Sequence, residues 1–195
     1  MSFDLHPTRF TPRQAEQITG ITMVRQRDLR RHGYLPQHEG HARFTAIDLA
    51  QMMVLSSMMQ RGIAPSTAAG LAEISAVGIV QVALSSPDVW EGMDDAEWTY
   101  PGEQMPEDKA QWLARVFSNF QAAAGDNRWR VTPGRFLIIW ANGREFWSPS
   151  VDHEIEEMEQ DDPRLAGPIT VLDLHALADQ LVRRAQLPLA RVVPG

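Results

Sequence analysis

Cysteine is absent from the 195 residues. That excludes disulfides, and with them the thiolate ligands on which soft-metal sensors depend. The opening MSFDLHPTRF holds no apolar core of signal-peptide length, and no run of about eighteen apolar residues occurs. A cytoplasmic protein without a membrane partner is expected. Catalytic signatures are missing too: there is no glycine-rich phosphate cradle and no nucleophile elbow, and Ser148, Ser150 and His153 match a catalytic set by residue type alone. His38, Glu39 and His41 have no third partner at ligand spacing. Seven acids fall between Asp152 and Asp162, but no glycine there lets their oxygens converge, so they read as a solvated acidic loop. No enzyme, no metal site and no cofactor is expected.

The charge that is present is unevenly placed. The chain carries a net −7, yet residues 1–63 hold eight arginines against five acids, a local +3 that leaves −10 for the remainder. A cationic module joined to an acidic one suits a polyanionic partner, because phosphate contacts depend on local cations and not on the whole-chain balance. With 44% hydrophobic residues the chain is long enough for two modest domains.

The arginines are concentrated in TGITMVRQRDLRRHGYLP, Thr19 to Pro36. Thr11 can cap a short helix that accepts Pro12 in its first turn and runs to about Ile18. Thr19 and Gly20 break it, since glycine tolerates the left-handed backbone of a sharp turn. Thr22 can cap a second helix to about His32, closed by Gly33 and carrying Arg25, Arg27, Arg30 and Arg31. Two helices joined by so short a turn have helix-turn-helix spacing, and four guanidinium groups on about ten residues need water or phosphate.

Residues 10–36, FTPRQAEQITGITMVRQRDLRRHGYLP, resemble the opening of the MerR-type winged-helix regulators, usually YTIGELAKLTGVSVRTLRYYERIGLLP. The register continues without a gap. Gly40-His-Ala-Arg-Phe-Thr-Ala-Ile-Asp-Leu49 resembles the wing and next helix start, and Gln60-Arg-Gly-Ile-Ala-Pro-Ser the turn into a fourth helix, so the likeness covers about residues 9–84. It implies a winged helix-turn-helix fold bound to double-stranded DNA. On this alignment Arg27 falls on the family's phosphate-binding arginine and Arg43 lies one position from its wing arginine. Gln26 stands where the family buries an aliphatic side chain, which implies a rotated or loosely packed second helix.

Beyond the second helix, apolar spacing predicts helices over about Ala46–Gln60 and Ser66–Leu84, the latter bent at Gly78. Residues 85–106 are acidic, rich in proline and glycine and free of lysine and arginine; they read as a linker whose Trp90, Trp98 and Tyr100 dock on a neighbouring domain. No three-heptad seam follows, so any dimer forms by other means. Residues 107–124 predict a helix with Trp112, Leu113, Val116, Phe117 and Phe120 along one stripe. Asn142-Gly143 between apolar runs predicts a hairpin, Pro168–Val171 a strand, and Asp173 the cap of a terminal helix. The hairpin is apolar on both faces, Phe136, Ile138 and Trp140 on one and Leu137 and Ile139 on the other; Trp129, Trp140 and Trp147 are candidates for a ligand pocket or an interface.

The fold class expected is therefore α+β: an all-α winged helix-turn-helix domain over 1–84, an acidic linker over 85–106, and a small α+β sensing, dimerisation or partner-binding domain over 107–195. The function expected is a sequence-specific transcriptional regulator of bacterial or phage type, acting as a homodimer at the nucleoid. Thr22 and Arg25 are candidates for base edges, Arg13, Arg27, Arg30 and Arg31 for phosphates, with Thr11, His41 and Arg43 flanking them. The alternative is an architectural or excisionase-like protein, or an adaptor whose acidic half recruits RNA polymerase or another enzyme.

Overall fold

Local chemistry sets the helix ends. In the computed structural model, which describes residues 3–37, 42–92, 117–124 and 133–194, Thr11 caps α1 (Pro12–Thr19) and exchanges hydrogen bonds with Gln14 in a capping box. Gly20 takes φ 74° and ends the helix. Thr22 then caps α2 (Met23–Arg31) by accepting from the Arg25 amide. Thr45 and Asp48 form a second capping box at the start of α3 (Ala46–Met59). Each cap satisfies amides that the first helical turn leaves without a carbonyl. Phe10 and Phe44, both wholly buried, pair backbone to backbone and so bring the chain ahead of α3 back beside the chain ahead of α1.

Helix α3 is buried on almost every side and packs along α4 (Pro65–Ala83). Such all-round burial marks a core helix. In α4, by length and composition, there is enough apolar chain to cross a membrane, with a mean hydropathy of 1.4, yet more than half of it is buried inside the molecule. Glu73, Ser75 and Gln81 interrupt its apolar residues, which is why the sequence shows no unbroken run. Gly78 does not interrupt it. The helix continues through this residue, and a Cβ there would stand 2.9 Å from Pro133 Cγ and 3.5 Å from Leu174 Cδ1. Glycine here permits close approach by the C-terminal half.

Two three-stranded sheets complete an α+β fold. One joins β1 (Phe3–Pro7), β6 (Ala190–Pro194) and β2 (Trp90–Glu91), with β6 central, antiparallel to β1 and parallel to β2. The N-terminal half thus contributes a strand that was not expected. Strand β2 follows a 3₁₀ turn at Pro87–Val89, so the first residues of the acidic segment are ordered in a sheet. Trp90 is buried there and its indole N–H donates to the Leu84 carbonyl at 3.0 Å. Trp98, Tyr100, Trp112, Leu113 and Val116 lie outside the described residues, whereas Phe117 and Phe120 are buried in the described part of α5 (117–124).

The second sheet has β3 (Phe136–Ile139) between β4 (Glu145–Ser148) and β5 (Thr170–Asp173). The β3–β4 hairpin forms where expected, but not through the type I′ turn that Asn-Gly favours: that turn needs two positive φ angles, and of the pair Gly143 alone has one, 82°. A short helix, α6 (Val151–Glu156), capped by Ser150, takes up the start of the acidic stretch that reads as loop. Asp173 accepts from the His175 and Ala176 amides and so caps α7 (Leu174–Ala185). Helix α7 packs on α4, α3 and α1, and a single apolar core runs from Phe10 to Val192.

Candidate nucleic-acid interface

Apart from Leu29 and Gln26, α2 is solvated. Arg25, Arg27 and Arg31 are exposed, and Arg30 is half-buried. The one carboxylate on the helix is Asp28, which pairs with Arg31 at 3.1 Å. Arg27 and, on α1, exposed Arg13 form no ion pair among the described residues. Arg27, Arg30, Arg31 and Gln37 line a shallow concavity of about 400 Å³, with no carboxylate among the described residues of its wall. Phe44 holds the Arg30 guanidinium in place, 5.7 Å from the ring centroid, an attraction of a cation to the negative face of the ring. Buried Nε of Arg30 has no hydrogen-bond partner.

At its N-terminal end α2 leaves Val24 64% and Met23 43% exposed beside Thr22 and Arg25. Uncovered apolar side chains next to guanidinium groups fit a face that a partner covers. Arg25 does not extend freely: its Nη2 lies 3.6 Å from Met59 Sδ, folded back on the end of α3. The Thr11 hydroxyl is taken by Gln14 and the Thr22 hydroxyl accepts the Arg25 amide, so both threonines act as caps here. Arg43 is exposed and donates only to the neighbouring Ala42 carbonyl, at 3.4 Å. His41 lies outside the described residues, as do His38 and Glu39.

Gln26 corrects the reading of α2 as rotated or loose. Its side chain is wholly buried, and Nε2 donates to the Pro12 carbonyl at 3.0 Å and the Ile21 carbonyl at 2.8 Å. The amide thereby ties the start of α1 and the turn to α2. From the far side of α1, Arg184 on α7 donates to the Ile18 carbonyl at 3.2 Å, fixing the turn against the C-terminal half. Neither role shows in sequence spacing, although Gln26 lies one helical turn before buried Leu29.

Of the candidate tryptophans, Trp147 lies on β4 of the second sheet and Trp140 directly follows β3. Trp147 donates its indole N–H to Ser75 Oγ at 3.0 Å, binding β4 to α4. Trp140 is buried, with the Arg164 guanidinium 5.9 Å from its ring centroid; Trp129 is outside the described residues. The hydrogen bonds from Arg164 hold the Asp162 carboxyl below its ordinary range and raise Arg164 in return. The face bearing Leu137 and Ile139 packs on the core, while on the opposite face Phe146 and Val171 are exposed on either side of Ile138, which is itself wholly buried.

Comparison with models of protein families, with curated proteins and with solved structures finds no match to this chain.

Proposed function

We propose that this protein is a sequence-specific regulator that binds double-stranded DNA through α2. The observation that carries the reading is the exposed surface of that helix, where guanidinium groups outnumber carboxylates and three of them share one hollow with Gln37. Such a hollow suits a backbone phosphate. Arg13 and Arg43 would extend the phosphate track on either side. The exposed Thr22–Arg25 end would enter the major groove, where arginine reads guanine by two parallel hydrogen bonds and Val24 meets a thymine methyl. A two-fold pair would set two such helices on successive half-sites. This activity belongs to the cytoplasm, at the nucleoid.

A second reading draws on the acidic helix α6. Asp152, Glu156, Glu157, Glu159 and Asp161 are all exposed beside Ile155. That surface supports recruitment of a basic protein partner such as RNA polymerase or a recombinase, which would make α2 the anchor of an adaptor.

The test uses the full-length chain and duplexes selected from a random pool, titrated by fluorescence anisotropy at several salt concentrations. Arg27→Ala is expected to weaken selected and random duplexes alike and to reduce the salt slope by about 1, whereas Arg25→Ala relaxes base preference at a cost of about 1–3 kcal/mol on the selected site. Failure to bind any duplex at low ionic strength, or equal losses with unchanged slopes, overturns the assignment.

A further inference from the structure

Away from the arginine helix, about 310 Å³ of space opens between the end of α3, the β3–β5 pair and the first turns of α7. Its floor is apolar and solid: Met58, Leu137 and Leu177 line it and are themselves buried. Its rim is polar, with Arg61, Thr170 and Gln180. Arg61 stands in the exposed turn that closes α3 and forms no ion pair among the described residues. Among the described residues Asp173 is the one carboxylate in the wall, and its charge is already met. Arg135 grips it through Nε at 3.2 Å and Nη2 at 2.7 Å, and the His175 and Ala176 amides donate to it at 2.9 and 3.2 Å. The cation at the rim is therefore uncompensated while the anion is not. Because Asp173 also occupies the first amides of α7, the helix end is closed to a phosphate.

We propose that this cavity binds a small organic acid, its apolar body against the accessible Ile139, Leu172 and Ala176 above that floor and its carboxylate on the Arg61 guanidinium. The volume lies at the lower end of small-molecule sites, roughly 300–1,000 Å³, and holds one ring or a short acyl chain with its head group. Apolar burial supplies affinity, and the planar guanidinium selects a carboxylate over a neutral amide of equal shape. The site does not rest on the reading of α2, and its test contains no DNA.

The experiment is a ¹H–¹⁵N titration of the full chain with benzoate, phenylacetate and hexanoate, and with benzamide as the neutral control. At least one acid is expected to give saturable shifts at Ser57, Arg61, Thr170 and Gln180, with benzamide about tenfold weaker. Arg61→Gln should weaken the acid about tenfold and leave benzamide unchanged. Ala176→Phe, which fills the hollow from an exposed position, should abolish both, with a dispersed spectrum reporting that the fold persists. Absence of saturable shifts for all three acids, shifts confined to other regions, benzamide binding as tightly as the acids, or an acid affinity indifferent to Arg61→Gln each overturns the proposal.

Discussion

Gln26 has arginine on both sides and is nevertheless completely buried, because its amide reaches two carbonyls that α1 and the turn present to it. Its Oε1 finds no partner. Truncation strands both carbonyls and opens a cavity, so Gln26→Ala is expected to cost about 2–4 kcal/mol in urea unfolding. Gln26→Leu, nearly equal in volume, also removes the unsatisfied oxygen and should cost markedly less. Equal losses would show that the cavity contributes little and that the hydrogen bonds, absent from both variants, set the cost. From sequence this residue was legible as an anomaly of position but not as a tether, since the carbonyls it serves lie on other elements. Thr11, Thr22 and Asp173 were legible for the opposite reason: a capping side chain bonds amides two or three residues away.

For α7 the anchor is Asp173. Burial opposes its ionisation, but the Arg135 guanidinium and the Ala176 and His175 amides outweigh burial, and the carboxyl lies below its ordinary range. A folded value below the unfolded one gives stability that is present above about pH 3.9 and is lost as the pH falls through the folded value. Asp173→Ala should therefore destabilise by about 1–2 kcal/mol near neutrality. Unfolding curves of the two proteins should converge as the pH is taken down from about 4. In α4 the residue to change is Gly78. Alanine gains about 1 kcal/mol of helix propensity, but its Cβ meets a stiff proline ring at 2.9 Å. Overpacking of this kind costs about 1–3 kcal/mol, so Gly78→Ala is expected to lower the melting temperature; an increase would show that Pro133 yields freely.

Across the whole molecule, what could be read in advance was whatever lay close in sequence. Helix ends, the Asn142–Gly143 hairpin and the strand ahead of α7 all follow from neighbouring residues. Strands β1 and β6 do not, because they pair with one another although their sequences lie at opposite ends of the chain. Pro7 and Pro194 weaken the local strand signal further. The organic-acid cavity draws on three separate segments and leaves no trace in any one of them. Charge asymmetry, in contrast, is additive and survived folding: α2 keeps Arg25, Arg27 and Arg31 in solvent. Removal of residues 1–8 leaves one edge of β6 unpaired and uncovers Ala190 and Val192. The truncated chain should unfold at lower temperature and exchange amide hydrogens faster over residues 190–193, as read by mass spectrometry. Unchanged exchange there would mean that β2 alone holds the strand.

Residues 3 and 194 face one another across the β1–β6 ladder. A tensile load applied at the two ends would act at right angles to those strands and would part their bonds one after another, as a zipper opens. A ladder loaded along its length shares the force among all its bonds at once; this one does not. Mechanical resistance would then fall to the helices behind it, and the first yielding event under tension should be a low-force peeling of the outer strand with the core still intact.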